Sequence, residues 1–167
     1  MSSSRRKFLQ SGLLVALGGG LAACGFTPVY GPSGPGTKLF GKVRAADPKT
    51  VDDFAFVRRV TERLGPPQDV AFDLGYNLRI AIVPQAITPD EITTRYALNG
   101  SAEFTLTDAV TGKVVTRGQV NNFSSYSTTG TTIATMSSEQ DAHDRLAFML
   151  ADQVITRLYG AVPAGTP

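Results

Sequence analysis

The chain has 167 residues, with 16 Lys and Arg against 14 Asp and Glu, one histidine, one cysteine and no tryptophan. A formal net charge of +2 is too small to act as an electrostatic footprint for nucleic acid. A lone cysteine cannot supply the paired thiols of a disulfide framework or a cysteine metal site.

The first 23 residues read as an export signal. Arg5, Arg6 and Lys7 stand without an acid, and Leu13 to Leu17 form a short apolar run that ends in Gly18 to Gly20 and "LAA". A spanning helix needs ~20 apolar residues, and Gly12 and Gly18 to Gly20 interrupt this run. "SRRKFLQ" also resembles the twin-arginine signature, with Phe8 and Leu9 after the Arg5–Arg6 pair; ordinary secretory leaders tolerate two arginines, so both export routes stay open. Leu21, Ala22, Ala23 and Cys24 spell "LAAC", which resembles the bacterial lipobox. The resemblance implies a diacylglycerol on the Cys24 thiol, cleavage just before it and acylation of the new amino terminus. Two or more chains, at ~0.8 kcal/mol per buried CH2, give stable anchoring. The alternative is a small core cysteine or a chance Cys behind a secretory leader. Gly25 stands where the familiar inner-membrane retention signal has Asp, a likeness that favours the outer membrane. Removing the leader takes away three bases and no acid, leaving 13 Lys and Arg against 14 acids, so the apparent basicity belongs to the signal. What remains suits one domain with a single core.

Residues 24–36 then read as a lipidated cysteine followed by a tether, since glycine together with Pro28, Pro32 and Pro35 disfavours helix and interior strand. Extended at ~3.5 Å per residue it reaches tens of ångströms, unless Phe26, Val29 and Tyr30 fold back or rest at the membrane interface.

A single α/β domain is expected over 37–160. "TKLFGKVRA" predicts a short strand with Leu39, Gly41 and Val43 on one side. "DPKTVDDFAFVRRVTERLG" predicts a helix whose stripe is Phe54, Val57, Val60 or Thr61, and Leu64, with Asp52 and Asp53 in the positive first turn and Gly65-Pro66-Pro67 ending it. From Phe72 to Ile82 the period falls to two, a half-buried strand. Residues 92–126 predict a hairpin turning through "TDAVTGK", with Asp108 bonding its own backbone and Gly112 at positive φ. Pairing Thr107 with Lys113 sets Leu98, Gly100, Ala102, Phe104 and Leu106 on an apolar face. Asn99, Ser101, Glu103, Thr105, Arg117, Gln119 and Asn121 then share a polar one, Glu103 opposite Arg117. "SYSTTGTTIATMSSEQ" predicts a strand end and a mobile loop, with Ser137 and Gln140 capping a last helix whose stripe is Leu146, Ala147 or Leu150, Val154 and Leu158, closing near Gly160. Residues 161–167 are expected to be disordered. The order predicts a two-layer α/β sandwich, two helices packed on one face of a small, about four-stranded mixed β-sheet.

No catalytic constellation emerges. His143 has Ser137, Ser138, Asp141 and Asp144 nearby, yet the acids belong to a helix start and no G-x-S-x-G elbow exists, so His143 is expected as a solvated surface residue. "DPKTVDD" lacks the spacing and glycine of a calcium loop, and "TGK" lacks the rest of a phosphate loop. Neither an enzyme activity nor a metal or cofactor is expected.

The leader with "LAACGFTPVYG", the helix ending "RVTERLG", the hairpin "LTDAVTGKVVTRGQV", the "SSYS" strand end and "EQDAHDRLAFMLADQVITRL" together resemble the lipopolysaccharide-assembly lipoprotein family, LptE. The resemblance implies an outer-membrane lipoprotein, lipid-anchored and facing the periplasm. It would plug a large LptD-type β-barrel and help deliver lipopolysaccharide, without catalysis. Lipopolysaccharide phosphates suit Arg and Lys, and Arg79, Arg95, Lys113 and Arg117 are the candidates, unless they simply form a solvated face. The competing reading is an auxiliary lipoprotein or lipid-binding component of an ABC-type lipid transport system, which calls for an apolar cavity of ~300 to 1,000 Å³.

Overall fold

The computed structural model describes residues 28–31, 34–87, 93–128 and 130–162; the leader with Cys24 lies outside them. In chain order the elements are α1 (Pro35–Leu39), β1 (Val43–Ala45), α2 (Val51–Leu64), β2 (Phe72–Ile87), β3 (Thr93–Asp108), β4 (Val114–Ser127) and α3 (Thr132–Ala161). The four strands lie in sequence order, β1 parallel to β2 and the rest antiparallel, so the sheet is mixed. The expected two-layer α/β sandwich is present, with a third, short helix added.

That short helix corrects the first strand. Pro35 sits in the opening turn of α1, where its fixed φ suits a helix and its missing N–H costs nothing. Leu39 is buried as a helical residue, and the strand shrinks to Val43–Ala45. Residues Gly34, Pro35 and Gly36 are themselves buried, so the chain already lies against the domain before Thr37.

Helix α2 starts where its acids predict. Thr50 Oγ1 accepts from the Asp53 amide at 3.1 Å, and the Asp53 carboxylate accepts in return from the Thr50 amide at 3.0 Å, a reciprocal cap. Its inward face differs from expectation: Ala55, Phe56, Val60 and Leu64 are buried, while Phe54 is 63% exposed. "FAFV" carries two overlapping stripes of helical spacing, and packing chooses between them. Phe56 wins because its ring meets Tyr76 of β2 at 4.8 Å between centroids.

The hairpin is present, but its register is shifted by two. Glu103 faces Gln119 and Thr105 faces Arg117, with an irregularity at Leu106/Thr107 that brings Thr107 opposite Val114. The turn absorbs the difference. The Asp108 amide donates to the Lys113 carbonyl at 2.9 Å, Asp108 Oδ1 accepts from the Val110 and Thr111 amides, and Gly112 turns at φ 69. A shift of two preserves every face and changes every partner, because side chains alternate with period two.

Helix α3 begins five residues before the expected cap. Thr131 Oγ1 accepts from the Ala134 amide at 3.3 Å, and Ser137 lies inside a helix of 30 residues. The segment read as a mobile loop contains no Gly or Pro between Gly130 and Gly160, so nothing stops the helix growing back to Gly130. Gln140, expected in a capping box, donates to Asp144 at 2.9 Å instead.

The core lies between one sheet face and the two long helices: Leu74, Leu98, Ala102, Phe104, Leu106 and Val120 meet Leu146, Leu150, Val154 and Leu158. A Cβ on Gly100 would come within 2.9 to 3.0 Å of Leu146 and Leu150, so the helix approaches the sheet where a side chain is missing. Tyr76 reaches this core with a buried hydroxyl that has no hydrogen-bond partner among the described residues.

Two outcomes test this core. Phe56→Ala should destabilise by ~3 to 5 kcal/mol and Phe54→Ala by under ~0.5 kcal/mol in urea unfolding. Burial first, then Asp53 and Asp47, push the Tyr76 phenol up to about 12 from an ordinary 10.0. A raised folded pKa means that its contribution is complete below pH 10.0 and lost as pH rises towards about 12. Tyr76→Phe, which removes an unpaired hydroxyl, should leave stability unchanged or raise it by up to ~1 kcal/mol and flatten that alkaline loss.

Candidate interaction surface

With both long helices on one side, the other side of the sheet carries no helix among the described residues. Reading across β4, β3 and β2, the rows on this open face are Arg117–Thr105–Gly75, Gln119–Glu103–Asn77, Asn121–Ser101–Arg79 and Phe123–Asn99–Ala81. The polar face expected of the hairpin is thus continued by β2. Gly75 contributes no side chain, and a shallow hollow of about 610 Å³ opens there, lined among others by Asn77, Glu103, Arg117 and Gln119. It is a solvent-open depression of mixed polar and apolar lining, unlike the enclosed apolar pocket that holds a lipid chain. Phe123, 70% exposed, stands at the other end of the same face beside Asn99.

The four basic candidates do not converge. Arg79 pairs with Glu103 at 3.5 Å, which corrects the expected Glu103–Arg117 pair and follows from the shifted register. Arg117 faces Thr105, and neither it nor Arg95 forms an ion pair among the described residues. Arg95 pairs with Ser127 at the far end, six residues along β3 from Ser101 and so ~20 Å away. Lys113 belongs to the β3–β4 turn. They form a spread of separate charges on a polar sheet.

The concentrated charge lies elsewhere, between α2 and α3. Arg59 grips Asp152 through two parallel bonds, Nε to Oδ1 at 3.0 Å and Nη2 to Oδ2 at 2.9 Å. Arg63 approaches the same carboxylate at 3.7 Å, Arg58 reaches Asp144 at 3.6 Å, and the Arg58 guanidinium lies 4.9 Å from the Phe148 ring centre. His143 Nδ1 is 2.9 Å from Asp52 Oδ1 and only 20% exposed, so it is an interhelix partner and not the solvated residue expected. The signal was in the spacing. Asp144 and Asp152 stand two turns apart on one helix, Arg59 and Arg63 one turn apart on another, a pattern of facing stripes.

This division of labour predicts different responses to charge removal. Arg59→Ala should cost ~1 to 2 kcal/mol in urea unfolding, because it breaks a two-bond clasp at a partly covered site. Arg117→Ala, on the exposed face, should change stability by under ~0.5 kcal/mol.

The arrangement has relatives. A family model described as LptE, lipopolysaccharide-assembly, matches residues 42–158. No curated protein sequence matches the chain. A structure described as a lipoprotein from Caulobacter crescentus aligns with TM-score 0.61 at 18% identity, covering 75% of this chain and 93% of that one. The rare lipoprotein B from Shewanella oneidensis aligns with TM-score 0.54 at 14% identity over 71% of this chain and 92% of that chain. A minor lipoprotein from Acinetobacter baumannii gives TM-score 0.51 at 15% identity, with 75% and 95% covered. At such identities these neighbours show a common fold, one helix layer on a four-stranded sheet. The family match runs from the residue before β1 nearly to the end of α3, and the chain therefore belongs to the lipopolysaccharide-assembly family LptE.

Proposed function

We propose that the protein is an outer-membrane lipoprotein, acylated at Cys24 and facing the periplasm, that serves as the plug and assembly partner of an LptD-type β-barrel in lipopolysaccharide export. The role is non-catalytic. Family membership supports the pathway, and the lipobox Leu21 to Cys24 supports the anchor. The observation that carries the plug reading is the open sheet face: a broad polar surface on a rigid four-stranded sheet, suited to the wet, polar lumen of a large barrel. Phosphates of the exported glycolipid would meet Arg95 and Arg117, whose guanidinium groups are not engaged by carboxylates among the described residues, with Lys113 and the Glu103-paired Arg79 as secondary contacts.

A lipid-carrying accessory of an ABC-type transporter is the second reading. It needs an enclosed apolar chamber, whereas the hollows described at the sheet, one of them about 610 Å³, are open to solvent.

A tagged full-length copy extracted from outer membranes in mild detergent should bring down a large β-barrel at close to equal stoichiometry, and the Cys24 peptide should carry the mass of its acyl chains. Ser101→Arg combined with Gln119→Arg, at the centre of the open face, should lower barrel recovery about tenfold with the urea midpoint unmoved, a loss near 1.4 kcal/mol of association. Unchanged recovery would remove the open face from the contact, and an ABC-transport complex in place of the barrel would favour the second reading.

A further inference from the structure

The domain has two unlike ends. One gathers the start of the described chain, α1, the loop after α2, the β3–β4 turn and the last turn of α3. The Gly41 amide donates to the Leu64 carbonyl at 2.6 Å and the Gln68 amide to Gly41 at 2.8 Å. The Ala71 amide donates to Lys42 and the Ala109 amide to Ala71, both at 2.9 Å. Both long helices run down to this end, and the N-terminus of the 30-residue α3 marks the other, a span of ~45 Å; the shorter α2 begins alongside His143, partway along α3.

Residues 28–31 and 34–36 are strapped onto the same end. The Gly31 amide donates to Pro28 at 3.0 Å, the Gly34 amide to Gly31 and the Gly36 amide to Val29, both at 2.9 Å, while Thr37 Oγ1 donates to Gly31 at 2.9 Å. Tyr30 packs edge-on against Tyr159 of α3, ring centres 6.0 Å apart and hydroxyls 3.2 Å apart. A Cβ on Gly34 would lie 2.2 Å from the Val29 carbonyl oxygen and one on Gly36 2.7 Å from it, so the strap closes only because both are glycine. Most of the glycine- and proline-rich stretch is therefore part of the domain and not a spacer. Four residue steps separate Cys24 from Pro28, at most ~14 Å of chain.

The surface at this end suits a lipid interface. Tyr30 and Phe40 are well exposed, Phe40 at 59%, and Val110 at the tip of the β3–β4 turn is 90% exposed. Lys38, Lys42 and Lys113 belong to it, set against Asp69 and an Asp108 whose carboxylate is occupied by its own turn. Amphipathic aromatics with lysines favour the headgroup layer of an anionic leaflet.

We propose that the acylated protein, while not engaged with a barrel, docks this end on the leaflet that holds its lipid, with Tyr30, Phe40 and Val110 at headgroup level. The domain then stands with a fixed polarity, the N-termini of α2 and α3 pointing away and the open sheet face turned sideways. The inference rests on acylation of Cys24 and goes beyond it by replacing a swinging tether with a seated domain.

The absence of tryptophan makes the test direct. Full-length acylated protein carrying Phe40→Trp is reconstituted in phosphatidylethanolamine–phosphatidylglycerol vesicles with brominated acyl chains. Val110→Trp serves as a second reporter at this end, and Ile133→Trp, in the opening turn of α3 and 80% exposed, reports from the far end. Fluorescence of the Phe40 and Val110 reporters should fall about twofold or more and that of the Ile133 reporter should not change. A flexible insertion of about ten residues after Thr27 should relieve the quenching. Equal quenching at both ends, or none at either near-end reporter in protein whose Cys24 peptide carries acyl mass, would overturn the seated geometry while leaving lipidation intact. A Cys24 peptide without acyl mass would overturn both.

Discussion

The sheet has one apolar face, and everything else follows from how α3 covers it. Leu146 and Leu150 settle over Gly100, where the missing side chain lets the helix come close enough for its whole inward stripe to touch β3 and β4. Close approach matters because dispersion and burial both fall steeply with a gap. With the helices committed to that face, α2 has one place left, beside α3 and over β1 and β2, where Phe56 reaches Tyr76.

That placement also sorts the charges. Long basic side chains on α2 lie alongside acids on α3, and the pairs at Asp52, Asp144 and Asp152 align two parallel helices whose macrodipoles point the same way. Partly covered, two-bond contacts such as Arg59–Asp152 fix orientation more than they add energy. Among the described residues the open face keeps scattered charge and two exposed pairs, Arg79–Glu103 and, at its β1 edge, Arg44–Asp73. Among the described residues, most of the outer edge of β2 and the whole outer edge of β4 have no strand partner.

A family member built this way is well suited to being held within something larger. Its stability comes from a single compact layer of helices, leaving a rigid, wet-tolerant plane free for contact. Seating the strapped end at a leaflet would orient that plane without further machinery, because a tether of only a few residues removes most of the rotational freedom a lipidated domain otherwise keeps.

Local chemistry and periodicity were enough to read the fold class, the period-two run from Phe72, the alternating faces of the hairpin, the Asp108–Gly112 turn and the start of α2, since each is set by residues close together in sequence. Family resemblance lay in the order of these elements. What the sequence left open were choices between equivalents: Phe54 or Phe56 as the inward ring, a pairing sum that could slip by two without moving any side chain to the other face, and a polar segment before Ser137 able to be loop or helix. The ring and the helix were decided by contacts remote in sequence, Tyr76 for the one and the sheet beneath for the other, while the register was set by how the Asp108–Lys113 turn closes. The same holds for function-bearing charge. Arginine and aspartate are visible in the sequence, but whether a guanidinium clasps a neighbouring helix, as Arg59 does, or stands free on an open plane, as Arg117 does, depends on which face the helices cover, and that is a property of the packed chain alone.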